Sequence, residues 1–345
     1  MLVAGGAGYI GSVLTRELLE VGLRVRVLDS LLYGNGESLV AVAEHERFSF
    51  ARGDVRSAAD VRDAIDGVTD VVLLAALVGD PVCKRHPELA NETNLGGARN
   101  VLEAASEGNV ERFVFASTCS NYGLRDDDEP ASEEDELHPL SLYAETKVET
   151  EREILARNEE LPITPTVLRM ATAFGISPRM RFDLTISEFT RELTLGRELE
   201  VYDPDTWRPY CHVADISAAI MAVLEAPADT VGGEVFNVGG DDANHTKRMV
   251  VEAALTALGA LGVEGRVNWT EGGEDARNYR VAFDKIRERL GFVPRHTVTG
   301  SIERLIAGIR AGLFGEVDRN GLFHRNLELT APTAAGEGRG GGDAG

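Results

Sequence analysis

Up to Arg169 the apolar residues follow two alternating rhythms. Short unbroken apolar or β-branched runs have the pattern of strands buried on both faces, and longer stretches with apolar residues three and four apart have the pattern of helices. Met1–Ala4, Leu23–Leu28, Phe48–Ala51, Asp70–Ala75, Arg112–Ala116 and Thr164–Arg169 read as strands. Between them Ser12–Val21, Asp60–Ile65, Asn94–Glu107 and Leu142–Asn158 read as helices, the first with Val13, Leu14, Leu18 and Leu19 on its apolar side. Alternation at this spacing builds βαβ units, so the predicted fold class is α/β with a doubly wound parallel sheet. After about Gly175 the rhythm breaks. Helices are expected at Leu184–Leu195, Ala214–Leu224, His245–Leu261, Asp284–Leu290 and Ser301–Leu313, and strands at Glu198–Val201 and Glu234–Val238. The expected division is a sheet domain of residues 1–168 plus about 210–238, and a smaller mixed lobe of about 169–209 plus 239–315. Residues 330–345 are rich in Gly and Ala without periodicity and are expected to be a disordered tail.

Charge narrows the partners. Among 345 residues, 35 are Lys or Arg and 57 are Asp or Glu, a formal charge of −22. Nucleic-acid phosphates and anionic membrane surfaces both call for a basic face, so neither is expected as a partner. No apolar run reaches the roughly 20 residues of a membrane-spanning helix. Cys83, Cys119 and Cys211 lack metal-ligand spacing, so free thiols and no metal are expected. With no leader before the first motif, the cytoplasm is the expected compartment.

The first strand runs into Gly5-Gly6-Ala7-Gly8-Tyr9-Ile10-Gly11 and then a helix. Glycines at this spacing let the chain turn tightly, admit a pyrophosphate against the backbone, and pack the helix close to the sheet. The helix N-terminus then favours negative charge. Asp29 ends the second strand, 18 residues after Gly11. A carboxylate there suits a ribose 2′-hydroxyl and repels a 2′-phosphate, which favours NAD over NADP. Asp54 ends the third strand, where a contact to adenine is expected.

Tyr143 and Lys147, one of four lysines in the chain, stand at i and i+4 on one predicted helix. Residues so spaced share a face, and an ammonium beside a phenol lowers its pKa toward the working range. The pair makes a general base able to take a proton from a sugar hydroxyl while hydride leaves the carbon. Strand ends face the ligand crevice in such sheets. The fifth strand ends in Ser117-Thr118, so Thr118, with Ser117 as the alternative, is expected to hydrogen-bond the reacting sugar oxygen.

Taken together, the glycine turn, Asp29, Gly53-Asp54, Leu74-Ala75-Ala76, Asn94, Ser117-Thr118, Tyr143/Lys147, Leu168-Arg169, the run from Arg208 to Asp215 and Phe236-Asn237-Val238-Gly239 resemble the extended short-chain dehydrogenase/reductase superfamily. Within it the chain resembles the NAD-dependent epimerase/dehydratase family of nucleotide-sugar enzymes over roughly residues 1 to 315. The resemblance implies a Rossmann sheet with a substrate-binding lobe, and a tightly held NAD that takes a hydride transiently and returns it. It also implies a nucleotide-diphosphate sugar as substrate, and a homodimer through the helices near 95–108 and 142–158. Coenzyme contacts carried over with it are Gly5, Gly8, Tyr9, Ile10, Gly11, Asp29, Asp54, Val55, Ala75, Ala76, Asn94, Tyr143 and Lys147.

Two departures bear on the reaction. The family's 4,6-dehydratases carry Asp and Glu directly after the catalytic Thr, where this chain has Cys119 and Ser120. Dehydration needs an acid and a base there, so inversion at C4 through a transient 4-keto sugar is the expected reaction. Dehydratase, decarboxylase or ketoreductase activity is the alternative within the superfamily, and an NAD-sensing regulatory protein the non-enzymatic one. The intact Tyr143/Lys147 pair argues against the last. Thr172 stands where the epimerases usually carry an Asn that touches substrate, so the sugar is expected to differ from the usual one. The diphosphate needs a cationic clamp. Arg208 matches the family's phosphate-binding Arg, and Arg277 and Arg179 are further candidates, because guanidinium offers phosphate a bidentate fork. His212 is expected to be a packed, hydrogen-bonded residue, and Asp80 only a turn former.

Overall fold

The computed structural model of the chain describes residues 1–125, 129–273, 277–315 and Asn326. The acidic run at 126–128 and the expected tail at 330–345 lie outside the described residues. The strands described are β1 (Leu2–Ala4), β2 (Val25–Asp29), β3 (Phe48–Arg52), β4 (Asp70–Leu73), β5 (Arg112–Thr118), β6 (Thr164–Met170), β7 (Thr172–Phe174), β8 (Glu198–Tyr202), β9 (Trp207–His212), β10 (Glu234–Val238), β11 (Asn244–Thr246) and β12 (Arg266–Thr270). Seven of them form one parallel sheet in the order β10-β6-β5-β4-β1-β2-β3. The direction of winding reverses between β1 and β4, and a crevice opens beyond the carboxyl ends of strands at such a point.

Both faces of this sheet are covered, which is why its strands read as continuous apolar runs. Val3, Val27, Val72, Val114 and Leu168 face Leu14 and Leu18 of helix α1 (Tyr9–Glu20) and Ile216 and Ile220 of the helix Val213–Glu225. Their neighbours Leu2, Ala4, Leu28, Val71, Leu73, Phe113 and Val167 face Val61 of α2 (Ala58–Ile65) and residues of later helices. Each fully buried side chain of this size contributes about 1.5–3 kcal/mol.

The single helix expected from Asn94 to Glu107 is more elaborate. The chain forms α3 (Asp80–Arg85) and α4 (Pro87–Asn91), both with proline in the first turn, then a π-type turn at Glu92–Gly96 before α5 (Gly97–Glu107). The wider turn accompanies the buried Asn94, whose amide reaches back across the loop after β4. Helix α6 (Leu142–Ala156) is capped by Ser141, whose hydroxyl accepts from the Ala144 N–H.

The smaller lobe is mixed. β7 and β9 pair parallel, β11 joins β9 antiparallel, and β8 pairs parallel with β12. β7 and β11 are three residues each, too short to show a period, and β12 is polar and largely exposed, so none of the three was expected. No helix among the described residues is long and apolar enough to cross a membrane.

Candidate active site

The crevice at the strand ends has a volume of about 430 Å³. Its floor begins at the glycine turn. Gly5 has φ +87°, and a Cβ on it would sit 2.7 Å from the Ala75 N. A Cβ on Gly11 would sit 2.3 Å from the Gly5 carbonyl oxygen and 2.6 Å from the Gly6 Cα. Helix α1 therefore approaches the turn more closely than any side chain permits. Gly8 is the open edge: a Cβ there would meet only the Gly5 oxygen, at 3.1 Å. α1 starts with Gly8 as its N-cap, with neither a side-chain cap nor an acidic residue in its first turn, an arrangement that suits an anion.

Asp29 lines the crevice and accepts from the N–H groups of Ala7 (3.0 Å) and Leu31 (2.9 Å). Burial pushes its carboxyl up, and these two bonds pull it back. Asp54 lines the far end. Burial raises its carboxyl too, but the Arg56 guanidinium and N–H outweigh it and the net shift is downward. Tyr9, Ile10, Val55, Ala75 and Ala76 supply the walls, with the Tyr9 hydroxyl donating to the Gly175 carbonyl. The open glycine edge, a carboxylate at the end of β2 and a second beyond β3 fit a dinucleotide. Asn94 is the exception among the expected coenzyme contacts. It is buried away from the crevice lining, accepting from the Leu77 N–H (2.7 Å) and donating to the Leu77 carbonyl and the Thr146 hydroxyl. It holds the loop after β4 against α6.

Tyr143 and Lys147 both line the crevice from α6. The Lys147 Nζ lies 5.9 Å from the centre of the Tyr143 ring and donates to the Ala116 carbonyl at 2.7 Å. Burial lowers the Lys147 ammonium to about 8, against an opposing pull from Glu151. Burial likewise pushes the Tyr143 phenol above its ordinary range. Arg181 draws it down, Asp80 and Cys83 push it up, and Arg277 draws it down. Desolvation of the phenolate thus outweighs, in this structure, the lowering that the Tyr/Lys spacing predicts. Thr118 ends β5 with its Oγ1 accepting from the Ser120 N–H at 3.1 Å, which leaves its hydroxyl proton for a ligand. Ser117 also lines the crevice, but its hydroxyl donates to Glu151 and accepts from Asn121.

Thr172 lies on β7 at the crevice. Arg208 is buried with its guanidinium over the Tyr279 ring and bonded to the carbonyls of Trp207 and Arg277. Arg277 pairs with Asp80 at 3.2 Å and donates to the Ser120 hydroxyl at 3.3 Å. Arg179 is fully buried and sits at the other end, over the Tyr33 ring and bonded to Asn326. Burial and the neighbouring Arg181 lower it to about 10. Its charged neighbours are Arg181, Asp183 and Asp29. With Lys147, Lys247 and Arg181, the crevice carries more cations than carboxylates, although the whole chain is strongly acidic.

Sequence reasoning gave Asp80 no role beyond a turn, offered Arg181 only alongside Arg179 as a further cation of the same loop, and did not pick out Asn326. Asp80 is more than a turn former, since it holds Arg277 in place. Arg181 is locked bidentate on Asp183 (3.1 and 2.6 Å). Asn326, from beyond the last helix, reaches the same place. None of these lies in a recognisable motif, and only the fold brings them together. Glu151 had a signal: it continues the Tyr143, Lys147 spacing by four more residues. His212 is, as expected, a packed residue; its Nδ1 accepts from the Ala214 N–H and its ring stacks on His296 at 4.1 Å. Those two rings and Asp215 form a group of metal-ligand type, but rings stacked 14° apart aim their in-plane lone pairs side by side rather than at one point.

Comparison with known proteins bears on the same residues. The model of the NAD dependent epimerase/dehydratase family matches residues 1–239. The dTDP-glucose 4,6-dehydratase of Streptomyces griseus is 32% identical over 315 residues, 89% of this chain and 93% of that protein. The UDP-glucose 4-epimerase of Corynebacterium glutamicum is 29% identical over 312 residues, 86% of this chain and 91% of that protein. The crystal structure of a dTDP-glucose 4,6-dehydratase from Streptomyces venezuelae with NAD bound superposes with a TM-score of 0.80 at 28% identity, covering 90% of this chain and 96% of the other.

Proposed function

The chain belongs to the NAD dependent epimerase/dehydratase family of nucleotide-sugar enzymes, and we propose that its own reaction is the inversion of a nucleotide-diphosphate sugar at C4. The observation that carries this reading is the pair of residues directly after Thr118. Cys119 is buried, donates to the Arg169 carbonyl, and burial pushes its thiol far up. Ser120 accepts from Arg277. The carboxylates at the crevice are Asp29, Asp54, Asp80 and Asp183. Asp29 is held by backbone N–H groups, and the other three by Arg56, Arg277 and Arg181 respectively. Neither residue directly after Thr118 is a carboxylate, and each crevice carboxylate is held by another partner, while the groups that serve inversion are present.

In this reading the Tyr143 oxygen takes the C4 hydroxyl proton and later returns it, and Thr118 donates a hydrogen bond that fixes the same sugar oxygen. Lys147 holds positive charge beside the phenolate, and Arg208 and Arg277 hold the diphosphate. NAD, which the glycine turn, Asp29 and Asp54 would hold, would supply the hydride acceptor and donor. The test is to incubate the protein with UDP-, dTDP-, GDP- and CDP-hexoses and read the products by NMR. A C4 epimer without stoichiometric NADH supports the reading; a 4-keto-6-deoxy sugar replaces it with dehydration.

Asp29→Ala is expected to lower the NAD-over-NADP affinity ratio by about tenfold or more, since a carboxylate facing a 2′-phosphate costs more than about 1.4 kcal/mol. Fluorescence titration with both coenzymes measures it, and an unchanged ratio would separate Asp29 from the ribose. A homodimer through α5 and α6 is also part of the proposal. The outer face of the two helices carries Arg99 paired with Glu149 and Glu153, and Arg157 paired with Glu103. Sedimentation of Arg99→Glu and Arg157→Glu variants tests the contact: a shift toward monomer supports it, and an unchanged dimer would place it elsewhere.

A further inference from the structure

Three residues on α6 continue one line along the helix: Tyr143, Lys147 and, one turn further, Glu151. The first two face the crevice, and the third lies beneath its floor. Glu151 is 1% exposed, a position in which a lone carboxylate would be costly. Its two oxygens are used in different ways. Oε2 receives both the Nε and an Nη of Arg169, at 3.0 and 2.9 Å. Oε1 receives the Ser117 hydroxyl and the Asn121 amide, the latter at 2.7 Å. Arg169 in turn donates to the Tyr122 hydroxyl at 3.0 Å, and Tyr122 donates to the Asn237 side chain at 2.8 Å.

The end of β5 is therefore gripped at consecutive residues. Lys147 holds the Ala116 carbonyl, Glu151 holds the Ser117 hydroxyl, and the next residue is Thr118. We propose that Glu151 is a positioning residue of this active site: its buried carboxylate keeps Lys147 a cation and, through Ser117, sets the strand end that carries Thr118. The proposal rests on the reading of Tyr143, Lys147 and Thr118 as the reacting constellation.

The groups around Lys147 make Glu151 the decisive one. From its own helix it meets Tyr143 and Glu151; α3 brings Cys83; β5 brings the Phe115 ring at 4.7 Å and the Ala116 carbonyl. Burial lowers the ammonium, and Glu151 is the first of the groups that oppose it. Cys83 opposes it only as a thiolate, and burial pushes that thiol up to about 12, so near neutrality Glu151 is the charged group that supports the ammonium, beside the neutral Ala116 carbonyl and Phe115 ring. Glu151 itself faces Arg169 from β6, Ser117 from β5 and Asn121 from the turn after it.

The chain has only Lys84, Lys147, Lys247 and Lys285, so a protein labelled with carbon-13 at lysine Cε gives few signals. The Lys147 signal is identified by its loss in Lys147→Arg. Titrating the full chain reads the Lys147 ammonium directly, without substrate or turnover. In Glu151→Gln the midpoint is expected to fall by about one pH unit or more, and Glu151→Asp should restore most of it. Should the Gln variant not fold, Glu151→Gln combined with Arg169→Met removes both buried charges together, and a smaller fall in the same direction is expected. In the turnover reaction the alkaline limb of kcat should move down with the Lys147 midpoint while KM changes little. An unshifted Lys147 midpoint in whichever Gln variant folds would overturn the proposal. A wild-type protein that converts no nucleotide sugar would instead overturn the reading of the site, and the lysine titration would still judge Glu151.

Discussion

Tyr143→Phe is expected to cut turnover by about 10²–10⁴-fold or more while NAD remains bound. The ring packs against the buried cluster of Leu77, Val82, Cys83 and Ala90, and phenylalanine keeps that packing. The glycine turn, Asp29 and Asp54 are untouched, so coenzyme affinity should change only slightly. What is lost is the oxygen proposed to take a proton from the sugar hydroxyl. The phenol is partly buried and desolvated, and its ionisation depends on charge brought close to it, which makes its removal hard to replace by water. Turnover and coenzyme content of the purified variant check this together. A near-normal rate would displace Tyr143 from its role, and loss of NAD would show the residue to be structural.

Arg169→Leu is expected to cost about 3–5 kcal/mol of folding stability, because it leaves Glu151 buried and ionised with its partner gone. Arg169 and Glu151 are 5% and 1% exposed, too deep for solvent to take over. The same guanidinium also bonds the Tyr122 hydroxyl and the Glu133 carbonyl, so the substitution opens a chain of contacts from α6 to β10. Denaturant unfolding measures the loss. A change below about 1 kcal/mol would mean that water or a protonated carboxyl relieves the site, since replacing both partners of such a pair can be nearly neutral.

How much of this the chain itself discloses depends on where each signal lives. The sheet was legible because burial on both faces writes its strands as apolar runs, and the turn from Gly5 to Gly11 because close backbone approach admits only glycine. Tyr143 and Lys147 were legible because a helix turns local spacing into a shared face. Of the residues expected at the coenzyme, Asn94 is drawn off to the Leu77 backbone, a competition that no spacing reveals. Arg179, expected at the sugar nucleotide, lies near Asp29, because the path of the loop after β7 is a tertiary property. Asp80 reaches Arg277 across 197 positions of sequence, and Asn326 joins Arg179 from beyond the last helix; such meetings have no local period. The short strands β7 and β11 exist through pairing with β9 rather than through any pattern of their own.

In the proposed reaction a single sugar carbon loses and regains its hydrogen within one crevice, with Tyr143 handling the proton. A nucleotide hexose deuterated at C4 tests it most directly. The expected product has inverted configuration and still carries the label at C4. Label found at C6, or released into free NADH, would contradict it.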